Sequence, residues 1–448
     1  MKSIIREIHQ KLVSRQNTCR EIVLEKIALL RNNEYNSVNL LLEEYATDLA
    51  DKVDEKIKNG KSIGLLEGIP FGINDTILLQ GYVSSGSSDF LKNYTAPYTA
   101  TVINKLIEAG AIPIVKENGD SFGHGNRSGS VVNVAKGNTV FSISNDSGGS
   151  IRKPDINDSV FSLKPTYGRC SRYGVMANVS STDCVAPIAS TLEDIRILIN
   201  VMSGKDINDH TTYSTAPISD NIFETKKLNE KITIGYYKSF VENKHLETSI
   251  KEAFLKMIET ISNQGFKVIP LDFFDPDILV STYYVLAMAE TASNLARLDG
   301  SVFGMRKRSV SGLDPNSSGS YIRSEYFSDE TKRRIIGGNQ LLSFEYDEDV
   351  YQKAKTIKNQ IIESFNNDFE KVNIILSPVS TTLPPSFGQS SDNPFSSYFS
   401  DAFTVGFSLG GLPTLTAPLF TQTGVQITAN KNQEDLILAF ANHLKEIE

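Results

Sequence analysis

The chain has 448 residues, 40% of them hydrophobic and 22% charged, with a net charge of −8. That is a globular composition, which excludes collagen-like and wholly disordered chains, and the acidic balance argues against a stand-alone nucleic-acid binder. Three scattered cysteines (Cys19, Cys170, Cys184) and five histidines without an HExxH pattern suggest neither a disulfide framework nor a metal site. No apolar run reaches the ~18 residues of a membrane span, and Met1–Glu7 lacks the apolar core of a signal peptide. The expectation is a cytoplasmic protein with no cofactor, no metal and no membrane contact.

The first sixty residues read as helices. Thr18-Cys19-Arg20-Glu21 has capping-box spacing ahead of Ile22, Ile27, Leu29 and Leu30. A second helix runs through Leu49, Val53 and Ile57 and stops at Gly60, with Lys56 and Lys58 in its last turn. The pattern then changes. Gly68–Ile73 is a short apolar strand, and Val102, Ile103, Leu106 and Ile107 form a helix face ending at Gly110. Ala111–Val115 and Val140–Ile143 read as strands. Ile232–Tyr236 is a strand, Leu246 to Gln264 a helix and Lys267–Pro270 a strand. Strands alternating with helices predict an α/β layered fold. Residues 310–330, rich in Ser, Gly and Asp, and 378–396, rich in Pro, Ser and Thr, read as surface loops. The rhythm shows no clear break, so one large domain is expected over 1–448, although the length alone allows about three.

Two Gly/Ser stretches stand out: Gly123–Ser130 and Asp146-Ser147-Gly148-Gly149-Ser150-Ile151-Arg152. Neither has the P-loop ending or the spacing of a dinucleotide fingerprint. Two glycines before a serine, after a strand, let several backbone N–H groups converge beside a hydroxyl, which is how an oxyanion is stabilised next to a nucleophile. On spacing alone, an ordinary Gly-rich turn is the favoured reading.

At these residues the chain resembles the amidase-signature family, most nearly the A (glutaminase) subunits of glutamyl-tRNA(Gln) amidotransferases. The likeness rests on Gly68–Ile73, Asp146–Arg152, Leu163-Lys164-Pro165-Thr166-Tyr167-Gly168-Arg169 and Ser171–Gly174, with weaker matches through Arg297–Gly300, Lys332–Ile335 and Gly410–Pro413. The resemblance implies a mixed central sheet covered by helices on both faces. It also implies a Ser–Ser–Lys triad: a neutral lysine deprotonates a bridging serine, which activates the serine that attacks an amide. The nucleophile maps onto Ser150 and the oxyanion donors onto the backbone of Ser147, Gly148 and Gly149. The residues that hold the charged end of glutamine map onto Arg334 and Asp401.

The rest of the triad departs from that pattern. The lysine position is Asn74, the bridging-serine position is Asn126, and the interval between Asn74 and Ser150 is shortened between Asp120 and Asn126. A carboxamide has essentially no basicity near neutral pH. Lys116, Lys136, Lys164 and His124 are the alternative bases to weigh. Arg127 could anchor an anion, close the pocket or lie on the surface, and Asp155 could pair with it. Two readings follow. In one, the scaffold has lost hydrolysis and keeps partner or ligand binding, with B-like and C-like amidotransferase subunits as partners and transfer RNA reached only through them. In the other, it is an active amidase or glutaminase with Ser150 as nucleophile and an atypical base.

Overall fold

The computed structural model describes residues 2–32, 34–123, 128–153, 160–224, 228, 232–305, 315–343, 347–383, 396–420 and 423–447. Its framework is an eleven-stranded sheet. In chain order the strands are β1 (Val38–Leu41), β2 (Pro70–Asn74), β3 (Ile112–Glu117), β4 (Phe141–Asp146), β5 (Phe161–Lys164), β6 (Cys184–Ala189), β7 (Thr233–Tyr237), β8 (Lys267–Leu271), β9 (Ile374–Pro378), β10 (Thr414–Ala417) and β11 (Val425–Ala429). They lie in the order β1-β3-β2-β4-β6-β5-β10-β11-β9-β7-β8. Around β2 and β7 the pairing is parallel; through β4-β6-β5-β10-β11-β9 it is antiparallel. The sheet is therefore mixed, as expected.

Both faces are covered, because side chains alternate along each strand. Ile374 and Leu376 of β9 enter one core with Phe71, Phe141 and Ile427. Ile375, between them, joins a second core with Leu279 and Phe407 on the other face. The helices Glu43–Lys58, Leu192–Met202 and Glu434–Ile447 contribute to the first core. The twenty-residue helix Pro276–Leu295 lines the second, and the helix Gly129–Ala135 packs over β4 and β6.

The helix Cys19–Arg31 starts at the expected capping box: Thr18 accepts from the N–H of Glu21 while the Glu21 carboxylate accepts from that of Thr18. Two expectations are corrected. The first sixty residues are not all helical, since β1 pairs antiparallel with β3. Residues 310–330 are not all loop: Pro315–Tyr326 is a helix and Asp329–Leu341 begins another. Ser and Gly composition was outweighed by packing, because Ile322 is buried in a cluster with Phe90, Leu298 and Phe327. Residues 384–395, within the second expected loop, lie outside the described residues. Among the described residues, no helix is long and apolar enough to cross a membrane.

Candidate active site around Ser150

Strand β4 ends at Asp146, and the chain turns through Ser147, Gly148, Gly149 and Ser150. Arg152 closes this turn from inside. Its fully buried guanidinium forks onto Asp146 (Nε–Oδ2 2.8 Å, Nη2–Oδ1 3.1 Å). The same group donates to Ser408 Oγ (2.6 Å), the Thr404 carbonyl (3.1 Å) and Gln426 Oε1 (3.2 Å). A bidentate, fully hydrogen-bonded pair is the form in which a buried charge is tolerated.

Asp183 holds the start of the turn. It accepts from the Ser147 hydroxyl, from Asn145 Nδ2 (3.2 Å) and from the Asn178 N–H (3.0 Å). Thr404 holds the middle, donating from Oγ1 to the Gly148 carbonyl at 2.6 Å. Gly149 has φ +127°, and a Cβ there would stand 2.4 Å from Thr404 Oγ1; a Cβ on Gly148 would stand 2.7 Å from the Tyr283 hydroxyl. Both glycines are thus required for the tightness of the turn. Among the described residues no acceptor takes the N–H of Gly148, Gly149 or Ser150, so these donors are available to an anion.

The Ser150 hydroxyl is half-buried and donates to the Asn145 carbonyl at 3.4 Å. No side-chain base lies within hydrogen-bond reach among the described residues. Asn74 ends β2, and its Oδ1 is engaged locally, accepting from the N–H (3.1 Å) and hydroxyl (2.7 Å) of Thr76. Asn126, His124, Arg127 and Asp155 lie outside the described residues.

The alternative lysines are committed elsewhere. Lys164 is buried, donating to the Pro165 carbonyl beside Cys184. Lys136 lies over the ring of Tyr35. Lys116 is buried behind Asn74, donating to the carbonyls of Ile77 and Asn74 (3.4 Å for the latter), with Asp75 Oδ1 at 3.7 Å. Burial pushes its ammonium down to about 8, against the pull of Asp75. Its neighbour Glu117 points across β2 and β4, accepting from Asn133 Nδ2 (3.0 Å) and Ser142 Oγ (2.8 Å). Burial drives that carboxyl up to about 7, partly offset by Ser130, Asn133 and Ser142.

Arg334 and Asp401 are brought together by two stacked tyrosines, Tyr284 and Tyr398, with ring centroids 4.0 Å apart. The Tyr284 hydroxyl donates to Asp401 Oδ2 at 2.5 Å, and that of Tyr398 donates to Glu330 Oε1 at 2.7 Å. Arg334 lies 5.3 Å from the Tyr284 ring centroid and donates to Glu330 Oε1 at 2.8 Å. Asp401 reaches the Ser150 turn through Thr404, whose Oγ1 also donates to the Asp401 carbonyl at 3.1 Å. Asp401 is already paired with Lys153, three residues after Ser150.

Sequence reasoning missed Thr404, Asp183, Tyr284, Glu330 and the pairing of Lys153. Only Lys153 had a signal within reach, its place three residues beyond the candidate nucleophile; the others come from distant segments.

A mixed sheet with a Ser-Gly-Gly-Ser turn at the end of a central strand defines the class. Residues 21–128 and 125–438 match the model of the family described as Amidase, and the chain belongs to the amidase family. Among curated relatives it is 35% identical to the A subunit of glutamyl-tRNA(Gln) amidotransferase from Trichodesmium erythraeum, over 98% of this chain and 96% of that one. The solved structure of the corresponding A subunit from Thermotoga maritima matches with a TM-score of 0.70 and 28% identity, covering 85% of this chain and 83% of that one. A chain from a vestigial protein complex linked to the origins of an s-triazine catabolic enzyme shares the fold with a TM-score of 0.84 at 21% identity, covering 100% of this chain and 98% of that one.

Proposed function

We propose that this chain is an amidase-signature protein, of the type of the amidotransferase glutaminase subunits, in which amide hydrolysis is lost or strongly impaired. One observation carries the reading. The Ser150 hydroxyl meets only a backbone carbonyl among the described residues, while the carboxamide of Asn74, at the position of the family lysine, is occupied by Thr76. A serine without a base is a weak nucleophile, and losing members of such a unit typically costs several powers of ten in rate. The backbone of Ser147, Gly148 and Gly149 is the proposed oxyanion site. Arg334 and Asp401 are the proposed wall for the ligand's far end.

In this reading the chain is one domain over 1–448, located in the cytoplasm, and joins B-like and C-like subunits. The relatives named as subunits support that association. The net charge of −8 favours transfer RNA contact through a partner.

Lys116 favours a second reading. An ammonium lowered to about 8 and placed 3.4 Å from the Asn74 carbonyl is, among the described residues, the candidate base close to the lost lysine position. In that version the chain is an active glutaminase with Ser150 as nucleophile. Ammonia release from glutamine and asparagine, measured for the wild type and for Ser150→Ala, separates the two. Equal background in both is the expected result; release that disappears with Ser150→Ala establishes the second reading. Capture from the native cell tests the partners, and recovery of neither a B-like nor a C-like subunit ends that part of the proposal.

A further inference from the structure

The strongest unexplained feature beside the turn is an internal ion pair. Lys153 leaves the same turn as Ser150, its N–H donating to the Gly149 carbonyl at 3.2 Å. Its ammonium reaches Asp401 and donates to Ser400 Oγ at 3.1 Å. The two charged side chains are only 8% and 10% exposed. Across the stacked tyrosines lies a second pair, the buried Arg334 with the partly exposed Glu330.

We infer that Lys153 is a specificity-determining residue that occupies the Asp401 carboxylate beside the Ser150 turn, so that the site excludes ligands carrying an α-ammonium and takes uncharged amides. The inference rests on the proposed site around Ser150 and names its ligand class. The physical argument is electrostatic. A carboxylate beside the turn is the group that would receive a ligand's ammonium. Here that carboxylate already has a tethered cation, a hydroxyl from Tyr284 and a place in a nearly dry wall. An incoming zwitterion would have to break a buried pair and strand Lys153, which costs more than the new contact returns. Arg334 is likewise engaged through Nε by Glu330, so its positive charge already faces a carboxylate of the protein. An uncharged amide breaks neither pair and uses the proposed oxyanion site at Ser147 to Gly149. Lys153 and Asp401 come from two turns held together by Thr404, so the pairing is built into the turn that carries the serine.

The test is binding by calorimetry with the full chain, in wild type, Lys153→Gln, Lys153→Met and Lys153→Arg. L-glutamine and pentanamide, an uncharged primary amide of similar length, are the probes. Pentanamide should bind wild type about tenfold or more tightly than glutamine, the size of a lost charge-assisted contact. Lys153→Gln and Lys153→Met should gain about tenfold or more in glutamine affinity with pentanamide unchanged, while Lys153→Arg, which keeps the cation, should still exclude glutamine. Lys153→Gln keeps hydrogen bonds to Ser400 and Asp401 should Lys153→Met fold poorly. Wild type binding glutamine as tightly as pentanamide overturns the inference, and so does a glutamine affinity indifferent to the loss of the cation. The same titrations in a Ser150→Ala background remain readable if wild type proves to release ammonia, so failure of the hydrolysis reading and failure of this one are distinguished.

Discussion

Arg152 and Asp146 form a two-bonded ion pair, both side chains fully buried, across the turn that carries Ser150. Six residues apart, they set where the strand ends and where the serine points. The guanidinium also ties that turn to Ser408, Thr404 and Gln426 from the C-terminal third of the chain. The turn is therefore held rigid whether or not chemistry takes place there.

Arg152→Met should be severely destabilising, by about 3–5 kcal/mol, because it leaves the Asp146 carboxylate buried without its partner. Arg152→Lys should recover only part of the loss, since an ammonium cannot reproduce the planar fork. Urea denaturation followed by circular dichroism measures both.

Gly149→Ala should cost roughly 1–3 kcal/mol or more, combining a backbone at φ +127° with a Cβ 2.4 Å from Thr404 Oγ1. In a Thr404→Gly background the steric part disappears and the backbone part stays, because the Cβ of residue 404, which alanine would keep, itself stands 2.5 Å from the added methyl. A double-mutant cycle should thus show coupling of the two positions; strict additivity would mean that Thr404 does not set the tightness of the turn.

Stability should depend on pH through two buried neighbours with opposite slopes. Glu117 has a folded value of about 7 against an ordinary 4.5. The folded state binds its proton more tightly, so this contribution is present below 4.5 and is lost as pH rises towards 7. Lys116 has a folded value of about 8 against 10.5. There the unfolded chain holds the proton more tightly, and stability rises with pH from about 8 to 10.5. Glu117→Gln should abolish the first slope and keep the second, whose lower edge moves down slightly because Glu117 helps keep Lys116 charged. Denaturation midpoints from pH 4 to 10 check both signs.

Asn74→Lys alone should not raise ammonia release above the Ser150→Ala background. The bridging-serine position is still Asn126, and a new ammonium at residue 74 would sit beside Lys116, whose Nζ is 3.4 Å from the residue 74 carbonyl. Two neighbouring cations favour losing a proton from one of them, but neither is positioned on Ser150. A large rescue would show that one missing group, and not several, accounts for the loss.

Amino-acid order alone determined a good deal here. Local patterns located the capped helix at Thr18, the strands at Gly68–Ile73, Ala111–Val115 and Val140–Ile143, and the Ser-Gly-Gly-Ser turn, because each depends on neighbours within a few residues. The motif at Asp146–Arg152 pointed to the family, and Asn74 marked the departure from it, since residue type by itself removes a base. Tertiary structure decided the rest. The helix Pro315–Tyr326 looks like loop in composition and is held by the burial of Ile322 against distant partners. The occupied wall at Asp401 depends on Lys153, Tyr284, Tyr398, Glu330 and Arg334, drawn from four separate stretches of chain. A charge written in the sequence is a potential partner for a ligand. Whether it is still unpaired is settled by which opposite charge the fold buries against it, and in this protein Asp401 already has Lys153.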